Sequence, residues 1–457
     1  MKAATGLRVR ERVVVHVGSP AARWISALAV LSLSGWLFLL HKDVAWSTTI
    51  LAAVILIARG IFLGRPVTAV HATAALVVCI AGVAIVFLAF DLLGNLLVVI
   101  SAIVLMWPTS ARPNPADLPR VFALVNATTG DPLAPFAMQA SKCYHFNADG
   151  TAAIAYRTRL GFAVVSGDPL GADSRFAALV ADFAAMCHTR GWRIVVLGCS
   201  ERRVNLWSNG TTVGQKLHAV PIGRDVVIDV ATFDMVGRRY RNLRQAVQRT
   251  HNSGVTTEVV DEQSLSDGLL AELSEVVFAS PRGSRTERGF SMALDGALEG
   301  RYPGVALIVA RDRDGRVQGF HRYATAGHGT EVTLDVPWRR PGAPNGIDER
   351  LSVDMIAAAK EQGAQRLSLA FAAFPEVFTD KHRNLPRSLV FTAVHLGDPL
   401  IALESLYRYL RKFHALSDRR YVMATLTQIV PLLIVLLWLE FIPRRRHLTR
   451  ASVAEAS

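Results

Sequence analysis

The sequence predicts a helical transmembrane module followed by an α/β region built on a repeated unit, and three observations carry that prediction. Four apolar runs with almost no charge lie between residues 24 and 107. A proline-rich linker, TSARPNPADLPR at residues 109–120, then marks a change of composition. Beyond it the order strand, Gly/Pro loop, helix, strand occurs twice, with the copies about 170 residues apart.

The apolar runs are residues 24–40, 44–58, 66–90 and 92–107. A bilayer core takes roughly 20 such residues, with about 17 as a lower limit, so the first, third and fourth are long enough, the second is short, and four spans are expected in all. Arg8, Arg10, Arg12 and Arg23 precede the first run, Arg59 and Arg65 separate the second and third, and Arg112 and Arg120 come after the fourth. Positively charged loops stay in the cytoplasm, so both ends of this module, and the region after it, are expected on that side. The first run leads into others without a small-residue cleavage site, so no cleavable secretory signal is expected.

In the first copy of the repeat, FAVVSG (162–167) leads through DPLGADS into a helix ending at Gly191 and then into WRIVVLGC (192–199). In the second, EVTLDV (331–336) leads through PWRRPGAPNG into a helix ending at Gly363 and then into QRLSLAFA (365–372). Tandem duplication accounts for this order and suggests four units: the membrane module 1–110, α/β domains at 111–255 and 256–420, and a hydrophobic helix with a basic tail at 421–457. The last apolar run, 422–442, contains Pro431 and Glu440 and precedes PRRRHLTR. A fifth span would carry Arg444, Arg445 and Arg446 to the outer side, so this run is expected to pack on the domain or lie at the bilayer surface.

The 457-residue chain is 51% hydrophobic and 19% charged. Its mean hydropathy of +0.29 is too high for an ordinary soluble enzyme of this length. Lysine plus arginine exceed aspartate plus glutamate by 50 to 37, a formal charge of +13, which directs attention to polyanions: anionic lipid head groups, nucleic acid, or both. Cys79, Cys143, Cys187 and Cys199 are far apart with no C-x-x-C pair, which suggests neither a disulfide framework nor a zinc site.

Three groups of residues could carry chemistry. The segment GRRYRNLRQAVQRT (237–250) has five arginines, and no acid occurs from Met235 through Thr257. As a helix it sets Arg238, Arg241 and Arg249 on one side, with Asn242 beside them and Leu243 and Val247 on another. Guanidinium forks match phosphate oxygens, so that side suits a lipid head group or an RNA backbone. The loop PWRRPGAPNG precedes a helix start, where backbone amides attract anions; Arg339 and Asn345 border it, and Gly342 and Gly346 would let a ligand come close. Carboxylates form the third group: Asp168 opens the first repeat loop, Asp335 ends the strand before the second, and Asp225 and Glu287 lie between. An acid at a strand end is well placed to bind an amino group or accept a proton. No G-x-S-x-G, Cys/His pairing or H-E-x-x-H occurs, so serine, cysteine and zinc hydrolysis lack support, and His321 and His395 read as structural.

Taken together, VVSGDPLG (164–171), RRYRNLRQAVQR (238–249), ERGFSMAL (287–294), DGRVQGFHRY (314–323), APNGIDERL (343–351), SLAFAAF (368–374) and YRYLRKFHALSDRRYV (407–422) resemble the catalytic domain of the phosphatidylglycerol lysyl- and alanyltransferases, the multiple peptide resistance factor or LysX type. The resemblance covers about residues 118–425 and implies tandem GNAT-like (acyl-CoA N-acyltransferase-like) domains. It implies transfer of an aminoacyl group from aminoacyl-tRNA to a hydroxyl of phosphatidylglycerol at a bacterial inner membrane, by a multi-pass protein whose catalytic region is cytoplasmic. Exchange of one ester for another needs no cofactor. Position by position, Asp335 falls on the family's functional aspartate, Lys412 on the lysine of its KF motif and Glu287 on the acid before its GF motif. Arg238 and Arg241 match the basic helix, Asp168 the GDP motif, and Asp225 a position usually held by glutamate. The implied roles are phosphate binding for the arginines, ammonium or hydroxyl-proton binding for Asp335 and Glu287, and charge stabilisation near the ester for Lys412.

The family's D-L-M-R reads Asp335-Val336-Pro337-Trp338 here, so its arginine is missing unless Arg339 or Arg340 substitutes, and Ala370 stands where relatives carry asparagine. The membrane module is far shorter than a flippase. Two competing readings are a membrane-tethered acyl-CoA transferase of the GNAT type and a non-catalytic lipid or RNA sensor on the same fold.

Overall fold

The computed structural model describes residues 13–15, 20–40, 43–88, 90–280, 286–287, 290–373, 406–441 and 444–445. The apolar N-terminal runs form helices α1 (Pro20–Leu40), α2 (Val44–Phe62), α3 (Ala69–Phe87) and α4 (Asp91–Leu105). The Asp43 carboxylate accepts from the Ala45 amide at the start of α2, and the Thr68 hydroxyl from the His71 amide at the start of α3. Among the described residues, α2 and α3 are the helices long and apolar enough to cross a bilayer. Of the four expected spans, the second and third runs therefore meet this test, and the first and fourth do not. Helix α2 does not stop at Ala58 but continues through Arg59 to Phe62, giving 19 residues, whereas α4 has 15, a rise of about 22 Å against a core of about 30 Å.

The linker after α4, which leads into α5 (Leu118–Ala127), is anchored to the α/β region on one side and to the N-terminal helices on the other. The Trp192 indole donates to the Thr109 carbonyl at 2.9 Å, the Ala111 amide donates to the Thr158 hydroxyl at 2.7 Å, and Arg65 reaches back to the Met106 carbonyl at 2.9 Å.

Among the described residues one sheet has twelve strands, eleven lying side by side and the short Leu170–Gly171 paired to Ala152 and Ala153 off that path. In chain order the eleven are β1 (Cys143–Phe146), β2 (Ala152–Arg159), β3 (Phe162–Ser166), β4 (Arg193–Ser200), β5 (His218–Asp229), β6 (Thr256–Asp261), β7 (Val305–Arg311), β8 (Val317–Ala326), β9 (Glu331–Arg339), β10 (Arg366–Ala373) and β11 (Leu416–Ala424). Their spatial order is β1-β2-β3-β4-β11-β5-β10-β9-β8-β7-β6. Only β3 with β4 and β9 with β10 are parallel, because each pair is joined by a helix that crosses back: α6 (Phe176–Thr189) and α9 (Ile347–Glu361). These are the two copies of the repeat. Outward from the β11/β5 seam the two halves run through the same sequence of elements. The seam is an exchange: β5 comes after the first copy in sequence yet pairs with β10 of the second, and β11 comes from the C-terminal end yet pairs with β4 of the first.

Alternation along the strands decides which layer each residue joins. Ala163, Val165, Ile194 and Val196 face α6, whose Leu179, Val180 and Phe183 are fully buried. Phe162, Val164, Val195 and Leu197 face the other way, onto α10 (Ile429–Phe441) through Leu432, Val435 and Leu439. The last apolar run thus splits into a strand end and a 13-residue helix seated on the sheet, too short to span. In the second half, α9 and α7 (Arg241–Asn252) cover one face, and α8 (Asp267–Ala279) covers the other with Leu273, Val276 and Val277.

Candidate functional site

The end of β9, the start of α9 and the turn of residues 406–413 enclose a pocket of about 210 Å³. Its lining is His321, Pro337, Arg339, Asn345, Asp348, Glu349, Leu406, Arg408, Tyr409 and Lys412. Three residues predicted from sequence, Arg339, Asn345 and Lys412, are brought together there. Lys412 donates to Glu349, and Arg339 lies 3.4 Å from the second carboxylate oxygen of Asp348. The other oxygen of Asp348 is 3.3 Å from His321 Nε2, and His321 Nδ1 is 3.5 Å from the Tyr323 hydroxyl. Ser352 and Tyr409 share a hydrogen bond behind these contacts, and burial holds the Tyr409 phenol protonated, well above its usual range. Three cationic side chains thus face two carboxylates already engaged by cations or imidazole, an arrangement suited to an anionic or carbonyl oxygen ligand. His321 is fully buried and positions Asp348; a histidine read as structural has a place beside the pocket.

The arginine-rich segment begins as one 3-10 turn, Arg238–Tyr240, and continues as α7. Leu243, Ala246, Val247 and Thr250 are buried while Arg238, Arg239, Arg241, Asn242, Arg244 and Arg249 are exposed. Arg244 is spent on the Met235 and Gly237 carbonyls. Arg238, Arg239, Arg241 and Arg249 make no ion pair among the described residues. His414 Nε2 bonds the Arg239 carbonyl at 3.0 Å, so the start of this basic face adjoins the turn that carries Lys412.

Gly346 does a different task from the one expected. Its φ of +104° suits glycine, and a Cβ there would come within 2.5 Å of the Ala246 carbonyl oxygen. The space is filled by α7 and not available to a ligand, and Asp348 and Glu349 in the first turn of α9 oppose anion binding at its amides.

The predicted aspartates do not line this pocket. Asp335 is the extra residue of a bulge, since Tyr323 pairs with Leu334 and Arg322 with Val336. Its carboxylate takes 2.8 Å and 2.9 Å contacts from Arg322 Nη1 and the Leu294 amide, and Arg322 also holds Glu262 at 2.8 Å. All three side chains are fully buried. Burial raises the Asp335 carboxyl to about 6 against the opposing pull of Arg322. The position of the missing family arginine belongs to Trp338, a core residue packed against Phe320 with ring centroids 5.0 Å apart. Arg340 turns to Glu275 on α8 at 2.8 Å, so Arg339 alone of the two candidates reaches the pocket.

Asp168 and Asp225 gather around a second buried arginine, Arg420. Its Nε donates to Asp225 at 2.8 Å, its Nη2 to Asp131 at 2.7 Å and its Nη1 to the Gly198 carbonyl at 3.0 Å, with Asp168 at 3.7 Å. Burial raises Asp168 to about 6, aided by Asp131, and raises Asp225 as well. Sequence reasoning missed Arg322, Glu262, Arg420 and Asp131. A signal existed for the last: Gly-Asp-Pro-Leu occurs at 130–133 as well as at 167–170, and both glycines have φ near +70° (+74° and +72°), so one tetrapeptide turn delivers both carboxylates to Arg420. Glu287 pairs through its backbone with Arg444; its side chain lies outside the described residues, as does His395.

Comparison with known proteins places these features. The family model described as phosphatidylglycerol lysyltransferase, C-terminal, matches residues 122–424. An MprF-like domain protein of Mycobacterium tuberculosis is 64% identical over 454 residues, 97% of this chain and 94% of that protein. The lysylphosphatidylglycerol biosynthesis bifunctional protein LysX of Rhodococcus jostii is 34% identical over 255 residues, 55% of this chain but only 22% of its own length. Among solved structures, L-PGS from Bacillus licheniformis superposes with a TM-score of 0.60 at 20% identity, covering 71% of this chain and 96% of that one. A C-terminal domain (DUF2156) from Agrobacterium fabrum does so with 0.60 at 21% identity, over 72% and 98%. The two-half sheet is the fold of those domains, and by the extent of the family match this chain belongs to the phosphatidylglycerol lysyltransferase C-terminal family.

Proposed function

We propose that this chain transfers an aminoacyl group, lysyl or alanyl, from aminoacyl-tRNA to a glycerol hydroxyl of phosphatidylglycerol, at the cytoplasmic face of a bacterial membrane that its N-terminal helices cross several times. The observation that carries this reading is the pocket holding Arg339, Arg408 and Lys412 beside an exposed arginine face that makes no ion pair among the described residues, the two linked by the bond from His414 to the Arg239 carbonyl. Phosphates of the RNA or of the lipid head group engage Arg238, Arg241 and Asn242. The lipid oxygen attacks the ester carbonyl, a new C–O bond forms, the bond to the ribose oxygen breaks, and the lipid hydroxyl proton ends on that ribose oxygen. Lys412 and Arg339 face the carbonyl oxygen as charge builds on it; a well-aimed donor of this kind contributes roughly 3–4 kcal/mol. Asp348 and Glu349 are the carboxylates positioned for the ammonium or the proton in transit. Holding both esters in line contributes more, on the order of 7–11 kcal/mol. In this reading Asp335 and Asp225 act as positioning residues through Arg322 and Arg420, Asp168 braces the second of these hubs, and Glu287 belongs to the segment that Asp335 helps to hold.

The test is mass spectrometry of lipids from membranes supplied with charged tRNA. The expected product is phosphatidylglycerol heavier by one aminoacyl residue, formed without coenzyme A and reduced on the order of 100-fold in Lys412→Ala. Acylation that needs coenzyme A, or a lipid profile identical with and without the protein, overturns the reading.

A further inference from the structure

Helix α10 presents apolar residues on both of its sides. Leu432, Val435 and Leu439 are buried against β3, β4 and β11, while Val430, Leu433, Ile434 and Leu437 are 66%, 50%, 58% and 55% exposed. The second set repeats at the spacing of one helical face, and no charged residue occurs between Ile429 and Trp438. A surface helix facing water carries polar residues on its outer side; one that is apolar all round meets lipid or another core.

The surroundings of α10 select lipid. The β2–β3 turn, Arg159-Leu160-Gly161, lies between this helix and the membrane module. Arg159 covers the Trp438 ring, Leu160 is 44% exposed, and Gly161 sits against Pro108 and Arg65, beyond the ends of α4 and α2. The exposed face therefore continues from the place where the apolar N-terminal helices meet the α/β region. Arg65 and Arg159 at that border, and the PRRRHLTR sequence after α10, are the charges an anionic head-group layer attracts.

We propose that α10 is a membrane-seated helix: its outer face, Val430, Leu433, Ile434 and Leu437, lies among the acyl chains of an anionic leaflet while its inner face remains on the sheet. It spans nothing, being 13 residues long, and it adds a second point of attachment to the one made by the N-terminal module. Phe290, from the ERGF segment, is fully buried in the same cluster as Leu432 and Val435, so the leaflet and that segment are separated by one helix. This inference does not depend on aminoacyl transfer and survives if the reaction is a different one.

The test uses the full chain in nanodiscs containing phosphatidylglycerol. In a Cys79→Ala background, nitroxides are attached at Leu433→Cys and Leu437→Cys and, for comparison, at Gln248→Cys on exposed α7. Labels at 433 and 437 should be several-fold more accessible to oxygen than to a water-soluble nickel complex, with the opposite ratio at 248. The unsubstituted protein gives an independent reading: a bilayer-restricted diazirine lipid should modify residues 430–437 as well as α2 and α3. Nickel-accessible labels, photolabelling confined to α2 and α3, or chain-to-chain cross-links through residues 430–437 would each show that the face meets water or a second copy, and would overturn the proposal.

Discussion

Asp335 is shut in with Arg322 and the Leu294 amide, and its protonation is therefore a stability term. A folded-state carboxyl raised from the usual range to about 6 binds its proton more tightly in the folded protein than in the unfolded chain. Its contribution is fully present below pH 4 and is lost as pH rises through about 6. The difference of about two pH units corresponds to roughly 3 kcal/mol. In Asp335→Asn that term is absent, so the variant's stability relative to wild type should rise by about that amount between pH 4 and pH 6.5. Thermal unfolding in detergent across this range checks it, and a constant difference would falsify the assignment. The same residue explains why linear position misleads: Asp335 stands at the end of a strand beside a loop, yet the bulge turns it inward onto an arginine of the neighbouring strand.

Helix α7 combines a buried side that packs on α9 with a charged side that faces out, and the two sides can be tested separately. On the packed side, Gly346→Ala places a methyl group 2.5 Å from the Ala246 carbonyl oxygen at a φ of +104°. The expected cost is about 2–3 kcal/mol, seen as a fall of several degrees in unfolding temperature. An unchanged temperature would mean that α7 and α9 separate easily. On the charged side, Arg241→Gln should leave stability near wild type and reduce the slope of log affinity for tRNA or anionic vesicles against log salt by about 0.7–0.9, one phosphate contact. An identical slope removes Arg241 from phosphate binding. The amphipathic pattern of this helix was legible in its sequence because Leu243 and Val247 are four apart; Gly346 was not, because the atom it accommodates belongs to a segment 100 residues earlier.

At the scale of the molecule, the exchange of β5 and β11 means that a cut between residues 255 and 256 leaves each piece without a strand. We expect residues 1–255 and 256–457, produced separately, to give no monodisperse folded protein, and to copurify when produced together. A C-terminal piece that folds alone would show that the seam is dispensable. The division into domains proposed from the sequence rests on the same experiment. The order of elements, the two repeat copies, the membrane-apolar N-terminus and the basic helix could all be read from the chain, since each depends on periodicity or composition within about 15 residues. The positions of Asp168, Asp225, Asp335 and His321 relative to the pocket could not. They depend on bulges and on strands exchanged between halves, which join residues such as Asp131 and Arg420 across 289 positions. The local pattern of polar and apolar residues, acting through hydrogen-bond geometry and burial, determines which segments are helix and strand. Only the closed sheet decides which charges are shut in with a partner and which remain beside an open pocket, because desolvation is a property of the assembled surroundings and has no counterpart in a linear string.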